Sequence, residues 1–169
     1  MIFAVVIMIV SLFLDGIFSN FFPYLVGDLS LFTPLLSVVS IFIVYPYFYK
    51  DSKRYFILAF IFGFIYDLFY TNLLFFNGFL FLFIAFMTTV MTKNMQVNML
   101  NILYEVIIVI VVYEVISAIL FVMFNLVPIS FSLVFYKISH SLLLNIIYVE
   151  IIYLIMKKFN NKIFKRYLN

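Results

Sequence analysis

Apolar residues run along this chain in six blocks, each near the length of about 20 residues that an α-helix needs to cross a hydrocarbon core. The blocks are Ile2 to Phe22, Leu31 to Tyr49, Tyr55 to Thr71, Phe75 to Thr92, Ile102 to Phe124 and Ser132 to Met156. The connections between them are short: FPYLVGDLS (22–30), KDSKR (50–54), NLLF (72–75), KNMQVNMLN (93–101) and NLVPISF (125–131). No soluble domain fits between spans, so the pattern predicts an all-α integral membrane protein with six transmembrane helices over residues 1–156. Pro34 falls in the first turn of the second block and Pro46 near its end, where it is expected to kink the helix.

The remaining residues, 157–169, read KKFNNKIFKRYLN and place Phe159, Ile163 and Tyr167 at i, i+4 and i+8 among five basic side chains. That spacing suits a basic amphipathic helix lying on an inner leaflet held by anionic lipid; a basic stop-transfer tail without structure is the equal alternative.

Composition agrees with the pattern. Of 169 residues, 68% are hydrophobic and 10% charged, and the mean hydropathy of +1.28 is far above that of a soluble domain. Nine of the ten basic residues fall in three clusters, Lys50/Lys53/Arg54, Lys93 and Lys157/Lys158/Lys162/Lys165/Arg166, each abutting an apolar block. Short basic loops stay in the cytoplasm, so these clusters predict that both termini are cytoplasmic and that 23–30, 72–75 and 125–131 face outward. Such localised charge does not make a nucleic-acid surface. The first block lacks a basic leader and carries Asp15, so it reads as a retained span rather than a signal peptide. Without Trp, the inner aromatic belt is expected from Tyr45, Tyr47, Tyr49 and Tyr55.

Charge inside a span is costly, about 2.5–3.5 kcal/mol at a helix centre on insertion scales, so each case needs a reason. Counted along their helices, Asp15, Asp67 and Glu114 lie at one depth, roughly 20 Å from the cytoplasmic edge. Ser11, Asp15 and Ser19 recur every fourth residue, as do Ala59, Gly63, Asp67 and Thr71. Each set predicts one helical face, and the small residues of the second predict close packing against a neighbouring helix. Both stripes end alike, in Ser19-Asn20 and Thr71-Asn72, a hint of internal repetition. On the sixth block, Lys137, Ser141, Asn145 and Tyr148 share a stripe with His140 beside it. Two readings stand open: a polar cluster of Asp15, Asp67, Lys137, His140 and Asn145, or polar groups that each find a local partner. Glu105, near the inner boundary, is expected to snorkel. Glu105 and Glu114, nine residues apart, are expected on opposite sides of their helix, which weakens an ion-path reading.

No phosphate loop, metal-ligand spacing or nucleophile motif is present, and Cys is absent altogether. The chain therefore reads as a non-enzyme with no cofactor and no metal.

The segment GFIYDLFYTN (63–72), in a chain of this size with six blocks and a basic tail, resembles the MreD family of bacterial rod shape-determining membrane proteins. The resemblance implies a multi-pass protein of the bacterial plasma membrane that binds MreC directly, in a complex with MreB, RodA and a penicillin-binding transpeptidase. It implies that Gly63 and Asp67 match the family motif. It also implies a fold similar to the S components of energy-coupling-factor transporters, and hence an alternative role as a small-molecule-binding transporter subunit. One departure is visible: the family often has a glycine soon after the outer turn, where this chain reads Phe75-Phe76-Asn77-Gly78.

Overall fold

A computed structural model describes residues 2–21, 34–71, 73–92, 99–124 and 131–159. Among them it contains six α-helices and no strand: α1 (Ile2–Phe21), α2 (Leu36–Val44), α3 (Ser52–Tyr70), α4 (Phe76–Thr92), α5 (Met99–Met123) and α6 (Phe131–Phe159). Each apolar block thus forms one helix. α1, α5 and α6 are long and apolar enough to cross a membrane, whereas Leu36–Tyr47 and α4 are shorter. α3 has 19 residues but carries Lys53, Arg54 and Asp67. α6 runs on through Lys157 and Lys158, and the rest of the tail, with Ile163 and Tyr167, lies outside the described residues.

The second block departs most from expectation. Its helix starts at Leu36, so Pro34 precedes it rather than occupying its first turn, and Pro46 sits in a 3₁₀ turn, Tyr45–Tyr47, that tightens the end of α2. Nine α-helical and three 3₁₀ residues rise only about 20 Å, short of a core of about 30 Å. The reason is position: all of Leu36–Val44 is buried, and α2 packs against α1, α4, α5 and α6. A helix apolar on every side belongs inside the protein, where its ends have no headgroups to reach.

Around α2, the other helices turn apolar faces outward. On α1, Ile2, Val6, Ile9, Val10, Phe13 and Ile17 are exposed, while Ala4, Ile7, Met8, Ser11, Leu12 and Asp15 face in. Ser19 is exposed, because a four-residue step on a 3.6-residue helix drifts about 40° per turn and carries the third member of the stripe off the buried face. On α5, Glu105 and Glu114 sit at the two edges of a single buried face that also holds Val106, Val109, Ile110, Tyr113 and Ser117. Glu105 is only 2% exposed, so it is enclosed rather than snorkelling.

At the end of the bundle near the 3₁₀ turn, aromatic residues form a packed cluster instead of a simple belt. Tyr55 is buried and donates its hydroxyl to the Ile41 carbonyl at 2.9 Å, with Tyr45 and Phe48 centroids 5.2 and 5.9 Å away. Tyr45 is buried as well; Tyr49 alone of the four expected belt tyrosines is exposed. Asp51 caps α3 by accepting from the Arg54 N–H at 3.3 Å.

α3 and α4 form the most extensive helix pair. A Cβ at Gly63 would lie 2.7 Å from the Asn77 carbonyl carbon and 2.8 Å from Gly78 Cα, so the contact is backbone against backbone. The turn into α4 passes through Phe75 at φ 67°, a left-handed conformation that glycine adopts freely. Here Phe75 takes it, its ring stacked on Phe64 at 5.0 Å. Gly78 lies inside α4 with room for a Cβ, so the glycine that follows this turn does not serve the turn itself, and the close approach to α3 rests on Gly63.

These contacts predict opposite outcomes at two glycines. Gly63→Ala should destabilise by about 1–3 kcal/mol, the usual cost of overpacking, because neither backbone atom can yield. Gly78→Ala should be neutral or stabilising, since its Cβ would meet a Phe60 ring edge at 3.4 Å, an ordinary van der Waals contact. Thermal unfolding midpoints in one detergent compare the two.

Candidate functional site

A helix begins with N–H groups that have no intrahelical partner, and in hydrocarbon no water is at hand to take them. α2 and α4 both begin with such N–H groups buried in the protein, and each is met by an aspartate from the helix before it. Asp15 of α1 accepts the Leu36 N–H on Oδ1 and the Ser37 N–H on Oδ2, both at 2.9 Å. Asn145 of α6 accepts the preceding N–H, that of Leu35, at 3.0 Å, and its own amide donates to the Ser141 carbonyl at 2.6 Å. Thus α1 and α6 together hold the start of α2.

Asp67 does the same for α4. Its Oδ2 accepts the Asn77 N–H at 2.9 Å and the Gly78 N–H at 3.3 Å, and its Oδ1 accepts from Asn77 Nδ2 and Thr71 Oγ1, each at 2.8 Å. The Tyr113 hydroxyl of α5 then donates to Asn77 Oδ1 at 2.9 Å. Asp67 and Asn145 are completely buried, and Asp15 and Asn77 almost so. A carboxylate beside a helix N-terminus is favoured by the helix dipole, and a low-dielectric setting strengthens each hydrogen bond. The cost of burying the acid is thereby offset where it arises. The hint of internal repetition has a structural counterpart here, since each aspartate takes two consecutive N–H groups at the start of the next helix.

Two further contacts tie α1 to its neighbours. The Tyr70 hydroxyl of α3 donates to the Leu12 carbonyl at 2.7 Å, its ring passing over Gly16 where a Cβ would strike the hydroxyl. Ser11 donates to the Ile7 carbonyl at 2.7 Å, leaving its oxygen to accept from Tyr148 of α6.

The single cluster of Asp15, Asp67, Lys137, His140 and Asn145 is divided in the structure. Asp15 and Asn145 meet at α2, and Asp67 sits with Asn77 and Thr71 at α4. His140 stays within its own helix: its ring stacks on Tyr136 at 3.8 Å, and Nδ1 pairs with the Tyr136 carbonyl at 2.9 Å and Ser139 Oγ at 3.1 Å. Lys137 lies within electrostatic reach of Glu114. Neither Lys137 nor His140 is a hydrogen-bond partner of Asp67, because backbone N–H groups already fill that role. Ala59 and Gly63 are buried on the Asp67 face, and Thr71 is half-buried.

Asn77 and Tyr113 were not singled out from sequence. Asn77 carried a usable signal, a lone amide beside Gly78 at the start of an apolar block. Tyr113 carried none, being one of 13 tyrosines in the chain. Both oxygens of each aspartate are engaged by helix caps, so the arrangement holds helices and offers no base poised on a nucleophile. Among the described residues, no group of three or more His, Cys, Asp or Glu side chains could hold a metal.

The cap at α4 predicts a graded series. Asp67→Leu removes acceptors for two backbone N–H groups and two side chains; at about 1–3 kcal/mol per buried donor left unpaired, it should prevent recovery of a folded monodisperse protein. Asp67→Asn keeps one acceptor oxygen and should fold with a lowered midpoint. Tyr113→Phe removes a single neutral bond and should cost about 0.5–1.5 kcal/mol. Thermal unfolding followed by size-exclusion chromatography ranks the three.

No curated protein matches this sequence. No solved structure matches it either. A protein-family comparison does match: the model for rod shape-determining protein MreD covers residues 1–163, nearly the whole chain, including both aspartate caps and every helix described above. The chain belongs to the MreD family of rod shape-determining membrane proteins.

Proposed function

We propose that this chain is a non-catalytic scaffold of the bacterial cell-elongation complex. It binds MreC in the membrane and helps couple the MreB cytoskeleton to peptidoglycan synthesis by RodA and its penicillin-binding transpeptidase. The observation that carries this reading is how the polar groups are used: Asp15, Asp67, Asn77 and Asn145 are spent inside the bundle on helix starts, while the outside is apolar. A body built this way is a stiff, lipid-embedded platform that offers partner helices a greasy surface. Exposed aromatic and branched residues on α3 and α4, such as Ile57, Ile61, Phe79, Phe83 and Phe86, suit that use.

In this reading the chain crosses the plasma membrane six times with both termini in the cytoplasm. The positions of Lys50, Lys53, Arg54, Lys93 and the basic residues from Lys157 onward support that orientation. α2 then counts as a crossing only with its flanking residues, its helical part being enclosed in protein.

Affinity purification of the tagged chain from native bacterial membranes, followed by mass spectrometry, tests the proposal. MreC should co-purify from wild type and be lost when the exposed Phe83 and Phe86 are both replaced by Ala, even where that variant reaches the membrane in normal amounts. Recovery of a pair of ATPase subunits without MreC would replace the scaffold with the transporter-subunit role.

A further inference from the structure

Enclosure in protein accounts for the shortness of α2, but α3 and α4 are short and face outward. Ile57 and Ile61 of α3 and Phe79, Phe83 and Phe86 of α4 are exposed. α3 starts with Lys53 and Arg54, and its apolar stretch from Tyr55 to Tyr70 rises only about 23 Å. α4 adds no height at the outer end. Its Asn77 N–H is held by Asp67 at 2.9 Å and the Asn77 backbone lies against Gly63, so α4 begins below the end of α3. The connecting turn folds back in the same direction, the Phe75 ring stacking on Phe64 at 5.0 Å. At its other end α4 closes on Thr88, Thr89 and Thr92, with Lys93 next in the sequence, so its apolar part is shorter than its 17 residues.

α5 and α6 are built to another height. α5 rises about 36 Å over Met99–Met123, and α6 rises about 38 Å from Phe131 to Met156, where Lys157 follows. A hydrocarbon core is about 30 Å thick. A helix longer than the core fits it by leaning, whereas leaning makes a short helix shorter still. Shifting α3 along the membrane normal gives no relief either, because it would draw Lys53 and Arg54 into hydrocarbon. The long pair can therefore adapt to the bilayer, and at the short pair the bilayer must adapt to the protein.

We propose that the α3–α4 face binds phospholipids with shorter acyl chains than those around α5 and α6, so that the outer leaflet dips beside this hairpin. The inference rests on the reading that both helices cross the membrane. Short chains end near the level of Tyr70 and Thr71, whereas long chains would either cover the polar turn or have to buckle against it. The partner of this surface, in the chain on its own, is thus lipid of a particular length rather than lipid at large.

The chain contains no Trp and no Cys, so single reporters can be placed at will. Phe83→Trp on α4 and Leu143→Trp on α6 both replace exposed side chains. Each purified full-length variant is reconstituted in brominated dioleoyl phosphatidylcholine mixed with unbrominated lipid of another chain length, and quenching gives the relative affinity of the two lipids at that ring. At residue 83, dimyristoleoyl lipid should displace the brominated lipid several-fold better than dieicosenoyl lipid does; at residue 143 that order should vanish or reverse. Phe79→Trp and Ile119→Trp repeat the comparison on α4 and α5, should either first variant fail to fold. The same chain-length order at both faces would overturn the proposal. So would an α4 reporter that no brominated lipid quenches, which would mean that a second copy of the chain covers it. Labelling of Leu74→Cys by an impermeant maleimide from the outer side of spheroplasts checks the crossing separately; no labelling there would overturn the crossing and the inference with it, while labelling together with equal chain preferences would overturn the inference alone.

Discussion

Two helices of this bundle start among buried residues, and the rest of the structure is arranged around that fact. In water the first N–H groups of a helix are solvated at little cost; in hydrocarbon each must find a protein acceptor. Asp15 and Asp67 supply acceptors that are strong because they are carboxylates and well placed because they lie near the ends of the helices that come before. The caps also fix neighbours. Asn145 draws α6 to α2, and Asn77 passes the Asp67 interaction on to Tyr113 of α5. Packing completes what the caps begin, since the α4 backbone can reach Asp67 only because Gly63 lets it come close.

The same arrangement explains why α2 is short. A helix whose first turn is capped by side chains from two other helices need not extend to a membrane surface. Its Ser37, Ser40 and valines are small enough to fit among α1, α4, α5 and α6. The surrounding helices can then commit their outer faces to lipid and to partner helices, which is what a membrane scaffold requires.

Much of this was legible in the sequence, and the limits have physical causes. The helices followed from apolar length alone, and the buried faces at Asp15 and Asp67 followed from fourfold spacing. The partners of the aspartates were missed because sequence displays side-chain charge and hides the backbone. A carboxylate in an apolar run suggests Lys137 or His140, whereas the donors are peptide N–H groups at Leu36, Ser37, Asn77 and Gly78, joined at Asp67 by the side chains of Asn77 and Thr71. Glu105 and Glu114 were correctly separated by half a turn around α5, yet that helix buries a face wide enough to include both. The central place of α2 could not be read from its own residues, because hydrophobicity on all sides suits lipid and protein interior equally.

The aspartate caps at α2 and α4 are what hold these helix starts in place. Amide hydrogen exchange by mass spectrometry, comparing wild type with Asp67→Asn in the same lipid nanodiscs, reports on them at the backbone itself. Faster exchange is expected in the peptide spanning 73–80, where the Asn77 and Gly78 N–H groups trade a carboxylate acceptor for a weaker neutral amide oxygen, with little change in α5 between 103 and 110. Unchanged protection of 73–80 in a folded Asp67→Asn protein would contradict it.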